Sequence, residues 1–156
     1  PLDGVEVRIT KGEIHLRGPM LLRTYRGGAC PKDPDGWLPT GDAGWLDDGG
    51  RLHVDGRLAS LIITGGENVW PEPVEALLGT HPGVAEAAVA GRPDPEWGQR
   101  VVAYVVPAAG RAAPTLDELR GIVRDRLAAF AAPKELVLVD QLPRTAIGKV
   151  RRDLLA

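Results

Sequence analysis

The stretch DGRLASLIITGGENVWPEPVEALL, residues 55–78, divides the chain into two kinds of sequence. No helical period precedes it, whereas strand-like and helix-like segments alternate after it. Residues 58–63 read as a short strand, Thr64-Gly65-Gly66-Glu67-Asn68 as a loop, and residues 71–78 as a helix. Pro71 suits the first helical turn, where the N–H it lacks has no intrahelical partner in any case. Val74, Leu77 and Leu78 follow at helical spacing. A strand, a glycine loop and a helix in succession open a small α+β domain.

Downstream, residues 84–90 and 101–106 are apolar strands, and residues 135–139 a further one. Leu116, Leu119, Val123, Leu127 and Phe130 line one face of a helix expected over residues 116–129. Residues 107–114 form an exposed loop, and residues 150–155 a last helical turn or two. The expectation for residues 57–156 is a β-hairpin plus a three-stranded sheet with helices. Upstream, residues 1–56 are β-rich. Val5 to Ile9 and Glu13 to Arg17 alternate around Lys11-Gly12, and Trp45-Leu46 and Leu52-His53-Val54 flank the turn Asp47-Asp48-Gly49-Gly50. So few strands bury little by themselves, so this part is expected to pack against sequence outside the chain.

Several chemistries are excluded. Cys30 is the single cysteine, which rules out an internal disulfide and a cysteine-based zinc site. Ser60 is the single serine and lies outside any Gly-x-Ser-x-Gly elbow. His15, His53 and His81 are dispersed, with no second ligand at i+3 or i+4. Ile147-Gly148-Lys149-Val150 lacks the earlier glycine and the Ser/Thr of a phosphate-binding P-loop. A net charge of -2 gives no general attraction to nucleic acid or anionic membrane. With no signal-peptide pattern in Pro1-Leu2-Asp3-Gly4-Val5-Glu6 and no membrane span, the chain is expected to be cytoplasmic. Starting on Pro1, it is expected to be part of a longer protein.

The residues that stand out chemically are few. Only four lysines accompany fifteen arginines, and Lys149 follows Gly148 on a short turn between Pro143 and the final amphipathic stretch, a place suited to delivering a point charge. Asp42, in Thr40-Gly41-Asp42, suits either the vicinal hydroxyls of a ribose or an Asx-turn closing a loop. Arg57 suits ribose oxygens, a phosphate or a surface ion pair. Gly65 and Gly66 permit either a close ligand approach or a sharp turn. Trp97 is balanced between stacking on a purine and packing in the core, and the spacing of Phe130 favours the core.

Taken in order along nearly the whole chain, Thr40-Gly41-Asp42, Gly56-Arg57, Gly65-Gly66-Glu67-Asn68 and Leu142-Pro143-Arg144-Thr145-Ala146-Ile147-Gly148-Lys149 resemble the motifs of the adenylate-forming enzymes. Gly-Gly-Glu-Asn-Val-Trp-Pro is closer in wording to the acyl-CoA synthetase and acyl- or aryl-CoA ligase branch than to peptide-synthetase adenylation domains. The resemblance implies that residues 1–56 end the N-terminal adenylation domain and that residues 57–156 are its mobile C-terminal partner. It implies a carboxylic acid, ATP and coenzyme A as substrates, an acyl-adenylate and AMP along the way, and magnesium held by ligands outside this chain. On the same basis Lys149 is the catalytic residue, Asp42 and Arg57 contact the nucleotide ribose, and Gly65 and Gly66 line the pantetheine tunnel. Trp97 and Phe130 clamp the coenzyme A adenine, and Ala59 is the hinge.

Three positions depart from the family pattern: Ala59 where Asp or Lys is usual, Pro73 where an acidic residue is common, and Ala132 where a basic residue can accompany the clamp. The function implied is the C-terminal part of an AMP-forming acid–thiol ligase, inactive in adenylation by itself. The alternative is a non-catalytic module that binds coenzyme A or an adenylate.

Overall fold

The computed structural model describes residues 3–155. The chain divides into two compact units, the first ending at Ala59 and the second beginning at Ser60. The first holds β1 (Glu6–Thr10), β2 (Glu13–Arg17), β3 (Leu38–Leu46) and β4 (Leu52–Arg57). They form one antiparallel sheet in the order β1-β2-β3-β4, and both expected hairpins are present. The buried apolar side chains of this unit, among the described residues, are Ile14, Trp37 and Ala43. Trp37 carries the guanidinium groups of Arg8 and Arg17 over its rings, at 4.4 and 4.7 Å.

One expectation is corrected here. Thr40-Gly41-Asp42 does not close a loop but lies inside β3. The Glu13 carboxylate accepts the Gly41 N–H at 2.9 Å, and the Thr40 hydroxyl donates to the Ile14 carbonyl at 2.9 Å. These cross-strand bonds hold the segment as a bulge within the strand, where the register with β2 shifts and Gly41 takes a left-handed φ of +75°.

The second unit contains β5 (Ile62–Thr64), β6 (Glu67–Val69), α1 (Pro71–Leu78), β7 (Val84–Asp94), β8 (Gly98–Pro107), α2 (Leu116–Arg124) and β9 (Glu135–Leu138). The β5–β6 hairpin joins β8 through Thr64 and Gly98, β7 runs antiparallel to β8, and β9 runs parallel to it. This is the expected hairpin with a three-stranded sheet. The apolar run of β8 is buried on both faces. Val101, Ala103 and Val105 meet Val74, Leu78, Leu119 and Val123, while Val102 and Tyr104 meet Leu142 and Leu155. The helices thus cover one face and the C-terminal segment the other. The buried Tyr104 hydroxyl donates to the Leu155 carbonyl and pins that segment.

Several boundaries differ from the periodicity: β7 runs on to Asp94, β8 starts already at Gly98, and Thr64, Glu67 and Asn68, expected in a loop, belong to β5 and β6. The strand expected over residues 58–63 begins only at Ile62, after a 3-10 turn at Leu58–Ser60. Its partner β6 ends at Val69 because Pro71 starts α1, so Ile62 opposite Val69 is the last pair. The helix expected to reach residue 129 stops at Arg124. A capping box between Thr115 and Glu118 starts it; past Arg124 Leu127 folds back on the core, and Pro133 keeps the residues just before β9 out of a helix. Phe130 consequently sits on a 3-10 turn at Ala129–Ala131, not on a helix face. The final segment is a single 3-10 turn, Arg152–Leu154. No helix among the described residues is long and apolar enough to cross a membrane.

Candidate functional site

In the first unit, β-sheet register sets Asp42 opposite Arg57. Arg57 Nε lies 3.0 Å from Asp42 Oδ1, and Arg57 Nη1 donates to the Thr40 carbonyl at 2.7 Å. The Thr40 hydroxyl accepts the Asp42 N–H at 3.0 Å. Both charged side chains remain partly exposed. The arrangement is a planar donor fork and a carboxylate fixed side by side, a pair able to bond vicinal hydroxyls. Ala59 is the last residue of this unit.

In the second unit, the β5–β6 turn, the β7–β8 turn and the 3-10 turn after α2 enclose a cleft of about 280 Å³. Thr64, Gly65, Glu67, Trp97, Ala129, Phe130 and Lys134 line it. Gly65 adopts φ +61°, and a Cβ there would lie 2.7 Å from Trp97 Cε3. The Gly65 N–H also donates to the Trp97 carbonyl at 2.8 Å. The close approach that this glycine permits is therefore made by the Trp97 ring. Gly66, φ +84°, has open space around its α-carbon.

Trp97 is held from beneath by Asp94, whose Oδ1 accepts the N–H groups of Glu96 and Trp97, both at 3.0 Å. The Trp97 bond, foremost, keeps the Asp94 carboxyl below the usual carboxylate range, against a smaller opposing effect of desolvation. Trp97 is 43% exposed and Phe130 38%, so neither ring belongs to the core. Phe130, for which spacing favours core packing, also borders a second, apolar cleft of about 190 Å³ with Trp70, Pro73 and Leu127.

Sequence reasoning missed Lys134. Its ammonium lies 3.7 Å from the Trp97 ring centroid. Its backbone N–H donates to the Val101 carbonyl at 2.8 Å, so the parallel pairing of β9 with β8 fixes where the side chain starts. The available signal was the scarcity of lysine, which drew attention only to Lys149. The departure at Ala132 is read differently in three dimensions: that residue is buried in the core, and the cation at the cleft comes from two positions later. Thr64 is missed too. It is buried at the cleft wall, and its hydroxyl has no hydrogen-bond partner among the described residues.

Lys149 does not line this cleft. It ends a closed turn in which the Gly148 N–H donates to the Thr145 carbonyl at 2.9 Å and the Thr145 N–H to the Lys149 carbonyl at 2.8 Å. The Thr145 hydroxyl accepts the Lys149 N–H at 3.1 Å. Gly148 at φ +84° supplies the left-handed residue that the reversal needs. The structure thus brings together Asp42 with Arg57, and Gly65 with Trp97 and Phe130. Among the described residues no group of three or more His, Cys, Asp or Glu side chains is placed to hold a metal ion.

Residues 73–149 match the profile of a family described as the AMP-binding enzyme C-terminal domain. The chain is 46% identical over 157 residues to an indoleacetate–CoA ligase of Aromatoleum aromaticum, covering 97% of this chain and 30% of the relative. It is 48% identical over 161 residues to a probable 2-succinylbenzoate–CoA ligase of Mycobacterium tuberculosis, covering 99% and 42%. Among solved structures, o-succinylbenzoate CoA synthetase from Bacillus subtilis, in complex with its acyl-adenylate intermediate, superposes with a TM-score of 0.88 at 38% identity. That match covers 99% of this chain and 34% of the other. The chain therefore spans between 30% and 42% of the length of these curated relatives.

Proposed function

The chain belongs, through residues 73–149, to the family of AMP-binding enzyme C-terminal domains, and from that premise we propose that it is the C-terminal part of a cytoplasmic, AMP-forming acyl- or aryl-CoA ligase. In this reading a carboxylate attacks the α-phosphate of ATP, releasing pyrophosphate, and the coenzyme A thiol then displaces AMP from the acyl-adenylate.

The observation that carries the reading is the state of Lys149. It is exposed at the end of a hydrogen-bonded turn. Glu86, Asp153, Glu72 and Glu75 pair with Arg144, Arg151 and Arg152, and no carboxylate among the described residues pairs with the lysine. An exposed ammonium carried on a fixed turn, with no carboxylate pairing it among the described residues, can reach out and stabilise negative charge gathering between an attacking carboxylate and a phosphoryl group, with no covalent step of its own. Asp42 and Arg57 would bond the ribose.

For the second half-reaction, Trp97, Phe130, Gly65 and Lys134 form a cleft with aromatic faces and one cation, suited to a nucleotide end such as that of coenzyme A. Gly66, open above its α-carbon, suits the passage of the thin pantetheine arm. The two sets of residues are used in turn if the second unit, which begins at Ser60, rotates as a mobile domain about Ala59, a rigid-body transition. Magnesium, which neutralises charge on the triphosphate, is assigned to ligands outside this chain, together with the phosphate loop and the acid pocket.

The test is carboxylate-dependent ATP–pyrophosphate exchange by the full-length protein, followed by thioester formation on adding coenzyme A. The acids to offer are 2-succinylbenzoate, indoleacetate and octanoate. Binding of coenzyme A or AMP with no exchange for any acid would favour the non-catalytic module, to which the plain methyl of Ala59 at the hinge lends itself.

A further inference from the structure

We propose that Arg152 and Glu75 are positioning residues that aim Lys149, forming the main strut that ties its turn to the sheet and to α1. This rests on the assignment of Lys149 to the adenylation half-reaction given above.

A short hairpin on its own is marginal in water, and the turn that ends at Lys149 carries an exposed tip, with Ile147 90% exposed. Its fixed direction therefore has to come from its two ends. At the entry, Arg144 donates from Nη1 to the Gly148 carbonyl at 2.6 Å and pairs through Nη2 with Glu86 on β7. At the exit, the Arg151 N–H donates to the Pro143 carbonyl at 2.8 Å. Arg152, three residues beyond the lysine, then bonds Glu75 through Nε at 3.2 Å and through Nη2 at 2.9 and 2.8 Å, reaching both carboxylate oxygens. Arg152 Nη2 also lies 3.3 Å from Glu72.

Glu75 does more than neutralise the arginine. Its Oε1 accepts the Val89 N–H at 2.7 Å. Val89 sits on β7, the edge strand of the sheet, so Glu75 links helix, strand edge and turn exit through one carboxylate.

The two struts are not equal. Arg144 and Glu86 are 43% and 46% exposed, and pairs of that kind contribute little because water competes for both groups. Arg152 and Glu75 are 20% and 18% exposed and joined by a forked, charge-assisted contact, which holds geometry far better. A lysine side chain has four rotatable bonds, so the placement of its Cα is what the scaffold can control. Misplacing a reacting group by about 1 Å can cost on the order of 10²-fold in rate.

The experiment uses the full-length protein and whichever of 2-succinylbenzoate, indoleacetate or octanoate supports the fastest wild-type exchange. Arg152→Ala is expected to lower adenylation kcat about 10- to 10²-fold, with little change in KM for ATP and with thioester formation from supplied acyl-adenylate spared. Glu75→Gln, which keeps size and an acceptor for Val89, is expected to give the same split more mildly. In a Lys149→Ala background, Arg152→Ala should cost less than about twofold further, because a residue acting through the lysine has nothing left to aim. Equal losses in both half-reactions, a loss that multiplies with that of Lys149→Ala, or no loss in either variant would overturn the proposal while leaving Lys149 catalytic. If Lys149→Ala itself spares adenylation, or the wild type exchanges with none of the acids, the functional reading fails and the strut with it.

Discussion

The ammonium of Lys134 rests 3.7 Å from the centre of the Trp97 ring, at the wall of a cleft that Phe130 and Gly65 complete. A cation over an indole face is worth ~0.5–1 kcal/mol when exposed. The contact sets a positive charge beside the ring, the combination on which the proposed coenzyme A site rests.

Trp97→Ala in the full-length protein is expected to raise KM for coenzyme A and to spare that for ATP, since only the adenine of coenzyme A would stack there. Base–aromatic stacking contributes ~1–3 kcal/mol, so the rise should be on the order of 10-fold or more. Initial rates with each substrate varied in turn would decide it. An unchanged coenzyme A dependence would remove Trp97 from the site.

Gly65→Ala places a methyl where the Trp97 ring already is, at a φ of +61° that disfavours any side chain. The combined clash and backbone strain should destabilise the second unit by ~1–3 kcal/mol, read as a lowered urea midpoint. Because the ring must shift, thioester formation should suffer more than adenylation. Full stability with normal coenzyme A kinetics would mean that the ring is free to swing.

Lys149→Ala removes one aimed charge, and losses of that kind cost ~10²–10³ in rate. The loss is expected in adenylation, measured by pyrophosphate exchange, and not in thioester formation from supplied acyl-adenylate. A similar loss in both would make the lysine structural.

Asp94 makes the turn beneath Trp97 pH-sensitive. Its folded carboxyl titrates below the ordinary value, chiefly because the Trp97 N–H bonds the ionised form. The sign follows from linkage: the stability it contributes is fully present above the unfolded value of about 3.9 and is lost as pH falls through the lower folded value. The melting-temperature gap between wild type and Asp94→Asn should therefore hold from about pH 7 to pH 5 and narrow progressively below about pH 4. A gap independent of pH would show that the ionised form receives no preferential stabilisation.

Much of the fold was legible because it rests on local periodicity. Pro71 and the spacing of Val74 and Leu78 marked α1 to the residue, and the Lys11-Gly12 and Asp47–Gly50 turns marked both hairpins. The failures came where a distant partner overrode a local preference. Thr40-Gly41-Asp42 has turn chemistry but is drawn into β3 by Glu13 and the Ile14 carbonyl. The apolar period through Leu127 and Phe130 continues past Arg124, yet the chain must turn there to lay β9 beside β8.

The amino-acid order alone singled out the residues proposed to carry chemistry. A rare lysine behind a glycine, an arginine behind a boundary glycine and a paired-glycine loop are properties of neighbours along the chain, and they point to one family. Tertiary structure alone decided what those residues face. It set Asp42 against Arg57 by strand register, laid the Trp97 ring over Gly65, put Lys134 instead of residue 132 at the cleft, and tied the exit of the Lys149 turn to Glu75, 77 positions away from Arg152. Each is a contact between segments far apart in the chain. The contacts of the second unit depend on packing both faces of one buried strand, β8, a constraint that no single stretch of residues contains.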